Sequence, residues 1–270
     1  MSRGRLRGAA VVVALALAAA VPAAATAKPT ITMSGSTSVA PLATLLAKGY
    51  LSKCGHCVNF KIQQGGSDVG ISDVAHGRVT IGNSSRDPKP SDPGGLVFNK
   101  IAHDAICLIT NNSNHLASLD QNGVQAVFGG DVRSWSGVPG SNLSGTIDVT
   151  VRTAASGTQD AFQKIFMGSK KIFSGASQKA SNGLVQQTVQ RDENAIGYVS
   201  LAFDEGTNPV AYKGVPCTLR NAKSGQYGGI RNFYMVTRGA PQGAAKQFIG
   251  YVKHNPSAQR IIATNWVPLS

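Results

Sequence analysis

Residues Arg152-Thr153-Ala154-Ala155-Ser156-Gly157-Thr158 close an apolar, strand-like run with one cation and a Ser-Gly-Thr step. Ala161, Phe162, Ile165 and Phe166 then set a helical period directly after it. A strand that ends on small residues at a helix start exposes backbone N–H groups. Here it adds two hydroxyls and an arginine fork, a donor set that suits a tetrahedral oxyanion.

The same design occurs twice more. Thr30 to Met33 reads as a strand, Ser34-Gly35-Ser36-Thr37-Ser38 as a hydroxyl-rich turn, and Val39 to Leu51 as an amphipathic helix. Val58 to Ile62 alternates like a strand, Gly65-Gly66-Ser67-Asp68 forms the turn, and Val69 to Ala75 continues as a short helix. One hydroxyl would serve as an ordinary helix cap, but three in a row at Ser36, Thr37 and Ser38 exceed what a cap needs. Three such units imply one shared anion.

The elements that must position these turns alternate along the chain, which argues for α/β sheets with helices on both faces. Val79 to Gly82 reads as a strand leading to Asn83-Ser84-Ser85-Arg86-Asp87-Pro88. Leu96 to Phe98 and Ala105 to Ile109 read as two apolar strands joined by Asn99 to Asp104. Val124 to Phe128 is helical and Ile147 to Val151 a strand. Beyond the arginine site come a helix over Gly183 to Arg191, strands over Ala195 to Val199, Pro209 to Tyr212 and Ile230 to Thr237, and helices over Gln242 to Val252 and Pro256 to Thr264. Ligands of such folds sit beyond the carboxyl ends of strands, where all three hydroxyl turns fall.

Residues 1–27 read as a cleaved secretory leader, with Arg3, Arg5 and Arg7 ahead of an apolar centre and Ala25-Thr26-Ala27 as the cleavage site. The mature chain then carries 23 basic and 13 acidic residues, a positive balance that attracts small anions. Scattered cations and 6% aromatic residues argue against nucleic acid as partner. The five histidines show no metal-ligand spacing, and no cofactor is expected. Four cysteines in an exported chain favour disulfides. Cys54-Gly55-His56-Cys57 follows a helix and precedes a strand, the reverse of a redox motif, so it reads as a structural clip. Cys107 and Cys217 remain to pair with each other, with connectivity open.

Taken together, Gly35-Ser36-Thr37-Ser38-Val39-Ala40-Pro41, Gly66-Ser67, Ile81-Gly82-Asn83-Ser84-Ser85-Arg86 and Arg152 followed by Ser156-Gly157-Thr158 resemble the PstS-type phosphate-binding proteins of bacterial ABC importers. Ile196-Gly197-Tyr198, and Ser224 to Tyr227 leading into Arg231 to Tyr234, add to the likeness. The resemblance implies a type II periplasmic-binding-protein fold, with two α/β lobes joined by two crossing strands and a ligand cleft between them. Lobe one would be residues 28–103 plus 230–270, and lobe two 104–229. Thr37, Ser38, Ser67, Ser85, Arg152, Ser156, Gly157 and Thr158 would hold phosphate, with Ser36, Asp68 and Asp87 as further candidates. The best-known members carry an aspartate, an acceptor for the phosphate proton, where this chain has Ser85; Asp68 and Asp87 are the candidate replacements. Arg86 would pair with Asp87 or order the cleft. The resemblance further implies a monomer outside the inner membrane, periplasmic or secreted, delivering phosphate to an ABC permease. A secreted anion-binding or signalling protein of the same fold is the alternative, and a phosphatase or esterase using Ser156 or Ser36 a more remote one.

Overall fold

The computed structural model describes Met1 and residues 27–269. The expected leader therefore lies almost wholly outside the described residues. Among the described residues, no helix is long and apolar enough to cross a membrane.

The chain begins with β1 (Thr30–Gly35), α1 (Ala40–Cys54), β2 (Asn59–Ile62), α2 (Ser67–Ala75) and β3 (Ile81–Ser84). It continues through β4 (Leu96–Thr110), β5 (Ser118–Leu119), α3 (Gln121–Gly129), β6 (Asp148–Arg152) and α4 (Gly157–Phe162). Then come β7 (Ser177–Lys179), α5 (Asn182–Arg191), β8 (Ala195–Ser200), β9 (Asn208–Tyr212) and α6 (Leu219–Lys223). It closes with β10 (Ile230–Arg238), α7 (Gly243–His254) and α8 (Pro256–Asn265).

The strands run in the order β2-β1-β3-β10-β4-β8-β6-β7, with β9 pairing to β4 and β5 to β9. Pairing is parallel among β2, β1 and β3 and among β8, β6 and β7, while β4 and β10 are antiparallel to each other and to their neighbours. Hydrophobic burial splits at this central pair. One large core gathers Ile31, Leu42, Leu46, Phe233, Phe248 and Trp266, the other Leu108, Phe128, Trp135, Phe162, Phe166 and Tyr198, and a small third cluster of Ile71, Val74, Tyr234 and Val236 packs α2 against β10. Along β4 the change of core falls between Ala102 and Ala105, and along β10 just past Arg231. Two α/β lobes joined by two crossing strands are thus the architecture.

Where the structure differs from the sequence reading, tertiary pairing explains it. The two apolar strands expected around Asn99 to Asp104 are one fifteen-residue strand, roughly 50 Å long. The polar middle stays extended because β10 pairs with it almost residue for residue, from Arg238↔Leu96 to Arg231↔Asp104. Asn99 Nδ2 also donates to Met235 O and Thr237 Oγ1, at 2.9 and 3.2 Å. The third strand lies two residues later than its apolar stretch suggests, ending at Ser84, since β10 pairs with it there. The helix after Arg152 is shorter than its period implies, changing to a π-turn over Gln163–Met167.

Cys54 is bonded to Cys57 and Cys107 to Cys217. The second bridge ties β4 to the segment entering α6 and closes a span of 110 residues, whereas the first closes three. If each acts by restricting the unfolded chain, the long bridge contributes about 5 kcal/mol and the short one about 2. Denaturant unfolding of Cys107→Ala/Cys217→Ala and Cys54→Ala/Cys57→Ala should show the first variant losing clearly more stability; equal losses would contradict that ordering.

Candidate functional site

The hydroxyl turns end β1 and β6 and open α2, and all three meet at the seam between the lobes. Thr37, Ser38, Ser67, Ser85, Arg152, Ser156 and Thr158 are each at least 96% buried, and Gly157 is buried with them. Ser38 Oγ lies 3.0 Å from Thr158 Oγ1 across 120 residues of chain. Ser67 Oγ accepts from the Ser85 amide at 3.0 Å, and the two hydroxyls stand 3.3 Å apart. Ser36 Oγ donates to Ser85 Oγ at 2.8 Å.

Local chemistry fixes each turn. Ser36 closes the turn ahead of α1, its Oγ accepting from the Ser38 and Val39 amides, which leaves the Thr37 and Ser38 hydroxyls for other partners. Ser156 caps α4 in the same way, accepting from the Thr158 and Gln159 amides and leaving the Gly157 amide outside the cap. At α2 the cap is Gly66, held at φ +96° with no side-chain acceptor. A Cβ there would sit 2.6 Å from Ala155 O of the opposite lobe, so only glycine fits. The Asp68 amide crosses the seam to the same carbonyl at 3.1 Å. Three helix starts, each positive at its N-terminal end, thereby face one point.

Arg152 lies in the middle of this set and is 98% buried. Its guanidinium donates to Lys179 O (3.1 Å), Ala180 O (2.8 Å), Thr37 Oγ1 (3.2 Å) and Thr158 Oγ1 (3.5 Å). Every one of these acceptors is neutral. Burial pushes its pKa down to about 10, partly opposed by Tyr198 and helped by the nearby charge of Arg231. The Tyr198 hydroxyl bridges the Arg152 amide and Gln159 Oε1, locking the end of β6 to α4.

The remaining candidates sit at the rim. Asp68 turns its carboxylate to Arg86 Nε at 2.7 Å. Asp87 accepts from Asn232 Nδ2 and Tyr234 Oη, each at 2.8 Å, and with these donors its pKa lies below the usual carboxylate value despite burial. Neither carboxylate hydrogen-bonds to the hydroxyl cluster. Of the two roles expected for Arg86, pairing with Asp87 or ordering the cleft, the first is not seen: its carboxylate partners are Asp68 and Asp92, and of Asp87 it reaches the carbonyl. The Arg86 fork is wide enough to clasp Asp92, six residues on. Ser36 and Ser156 engage hydroxyls and amides, with no imidazole among their partners to activate them as nucleophiles.

Three residues of the cluster were not among the site candidates read from the sequence, although Arg231 stood in the likeness. Asn182 Nδ2 donates to Thr37 Oγ1 and Ser38 Oγ at 2.9 and 2.8 Å, while its Oδ1 takes the Ser200 amide. Arg231 Nη1 donates to Thr158 Oγ1 at 2.7 Å and its Nη2 to Ser38 Oγ at 2.8 Å. Asp104, directly opposite in the β4–β10 pair, holds Arg231 at 2.8 and 3.0 Å. Burial pushes the Asp104 carboxyl up and the Arg231 guanidinium down, each counteracted by the other. Arg231, a cation near the start of a strand-like run, was a visible signal, whereas Asp104 closed the polar stretch from Asn99 and gave none. Asn182 gave none, since Ser181 beside it is an ordinary cap.

The family model for the PBP superfamily domain matches residues 20–255. A Clostridium perfringens structure described as a phosphate ABC transporter substrate-binding protein with bound phosphate is 30% identical, with a TM-score of 0.83, covering 89% of this chain and all of the other. An ABC-type phosphate transport receptor from Vibrio cholerae is 26% identical, with a TM-score of 0.70, covering 88% and 99%. The phosphate-binding protein PstS of Bacillus subtilis is 24% identical over 246 residues, 89% of this chain and 81% of its own. Matched in fold over both lobes and in sequence along most of its length, the chain belongs to the PBP superfamily, among the PstS-type substrate-binding proteins of ABC importers.

Proposed function

We propose that the protein captures inorganic phosphate outside the inner membrane, in the periplasm or after secretion, and delivers it as a monomer to an ABC permease. The observation that carries this reading is the buried Arg152 guanidinium, whose acceptors are all neutral while hydroxyls from both lobes crowd around it. A charge left so in a dry site costs several kcal/mol unless a counter-ion arrives. Named phosphate receptors among its relatives support phosphate as that ion.

In this reading Thr37 and Ser38 bind from the start of α1, Ser67 and Ser85 from the other side of lobe one, and Ser156, Gly157 and Thr158 from α4. Ser36 orders the first turn. Thr37 already accepts hydrogen bonds from Arg152 and Asn182, which leaves its hydroxyl proton free to point at an oxyanion, while Ser38 and Thr158 share a hydroxyl contact that an entering oxyanion would replace. Asp68 and Asp87 are spent on rim contacts, so the phosphate proton meets hydroxyl oxygens, Ser85 among them, in place of a carboxylate. Residues 28–103 with 230–270 then close on 104–229 by flexing β4 and β10, the anion supplying the differential affinity that favours closure.

Calorimetric titration should give micromolar or tighter affinity for phosphate, about −8 kcal/mol or better; no phosphate binding alongside strong binding of sulfate would reject the ligand. Arg152→Met should weaken phosphate roughly 100-fold without lowering the melting temperature of the ligand-free protein, because it removes an unpaired buried charge. Retained affinity would remove Arg152 from the site. A side chain at Gly157 would collide with Ser67 Oγ and stand 2.8 Å from Ser85 Oγ and 3.0 Å from the Arg86 amide. Gly157→Val should therefore fold but close poorly, with phosphate affinity down at least about tenfold and no phosphate-induced compaction in solution scattering; normal compaction would contradict the tight contact.

A further inference from the structure

Arg231 and Asp104 occupy the place where one core gives way to the other on both crossing strands. Both are at least 95% buried. Asp104 uses one oxygen, Oδ2, for the Arg231 Nε and Nη2 groups, and the other, Oδ1, for Ser200 Oγ at 2.9 Å. One edge of the guanidinium is thus satisfied by its carboxylate. The opposite edge reaches past it, Nη1 to Thr158 of one lobe and Nη2 to Ser38 of the other.

A purely structural ion pair has no need of that reach. Thr158 Oγ1 also lies 3.5 Å from Arg152 Nη1, so two guanidiniums converge on one hydroxyl in a site closed to water. Like charges brought together in a poorly screened interior repel unless an anion lies between them. Asp104 offsets one positive charge and leaves the other for the ligand, while fixing the orientation of a fork that suits two oxygens of a tetrahedral ion.

We propose that Arg231, held at the seam by Asp104, is a second guanidinium contact to the bound anion and draws both lobes onto it from the hinge side. The assignment rests on the phosphate reading for the identity of the ion. Arg152 grips from lobe two and Arg231 from the floor of the cleft, so the anion is bracketed by both. Asp104 is a positioning residue: it holds the fork without touching the ion.

The test compares wild type, Asp104→Asn/Arg231→Gln and Arg231→Lys by calorimetric titration with inorganic phosphate, with circular dichroism and melting curves as folding controls. The double variant removes both charges together, so neither is left alone in the core. It should bind phosphate about 30-fold or more weakly. Arg231→Lys keeps the charge beside Asp104 but loses the fork, and should fall about tenfold. Affinities within threefold of wild type in the folded variants would overturn the proposal, and the lysine variant alone decides the matter should the double variant fail to fold. A wild-type protein that takes no phosphate counts against the phosphate reading instead, and the same three proteins titrated with sulfate and arsenate then read the Arg231 contact directly.

Discussion

A guanidinium enclosed by protein must find its counter-charge somewhere, and the carbonyls and hydroxyls around Arg152 supply only dipoles. Around this imbalance the architecture is arranged. Main-chain carbonyls of Lys179 and Ala180 hold the fork in position, Tyr198 and Gln159 lock the strand that carries it, and the α1, α2 and α4 helix starts add partial positive charge from three directions. On the function proposed above, an anion would recover the stability given up by burying that charge, which distinguishes a receptor from a reinforced core.

Several weak donors around one strong one also suit the job of delivery. Hydroxyls and amides suit directional hydrogen bonds to each oxygen of a tetrahedral ion, and here they belong to two bodies joined through β4 and β10. On the function proposed above, parting of the lobes would divide the donor set, Thr37, Ser38, Ser67 and Ser85 going with one and Arg152, Gly157 and Thr158 with the other. Tight holding and complete release therefore follow from the same construction. Cross-lobe contacts of glycines enforce the fit, since Gly66 and Gly157 each allow the opposing backbone or side chains to approach where a Cβ would intrude.

Much of this was written into local sequence. Strand, small-residue turn and helix succeed one another at Gly35 to Val39, at Gly65 to Val69 and at Arg152 to Thr158, and turn chemistry of that kind is decided over a few residues. Long-range pairing was not legible. Asn99 to Asp104 has the polarity of a loop, and only the partner strand, more than a hundred residues away, makes it continuous. The same blindness hid Arg231 and Asp104, which are 127 residues apart and acquire meaning as registered neighbours. Arg86 was ambiguous for a related reason: adjacency favoured Asp87, whereas the fold delivers Asp68 and Asp92.

The most direct measurement is a crystal structure of the protein grown with phosphate. The account expects one ion at the seam, with oxygens in hydrogen-bond range of the Arg152 guanidinium and of hydroxyls from both lobes, including Ser38 and Thr158. Phosphate seated on a single lobe, or bound away from Arg152 while that guanidinium keeps only its neutral acceptors, would contradict it.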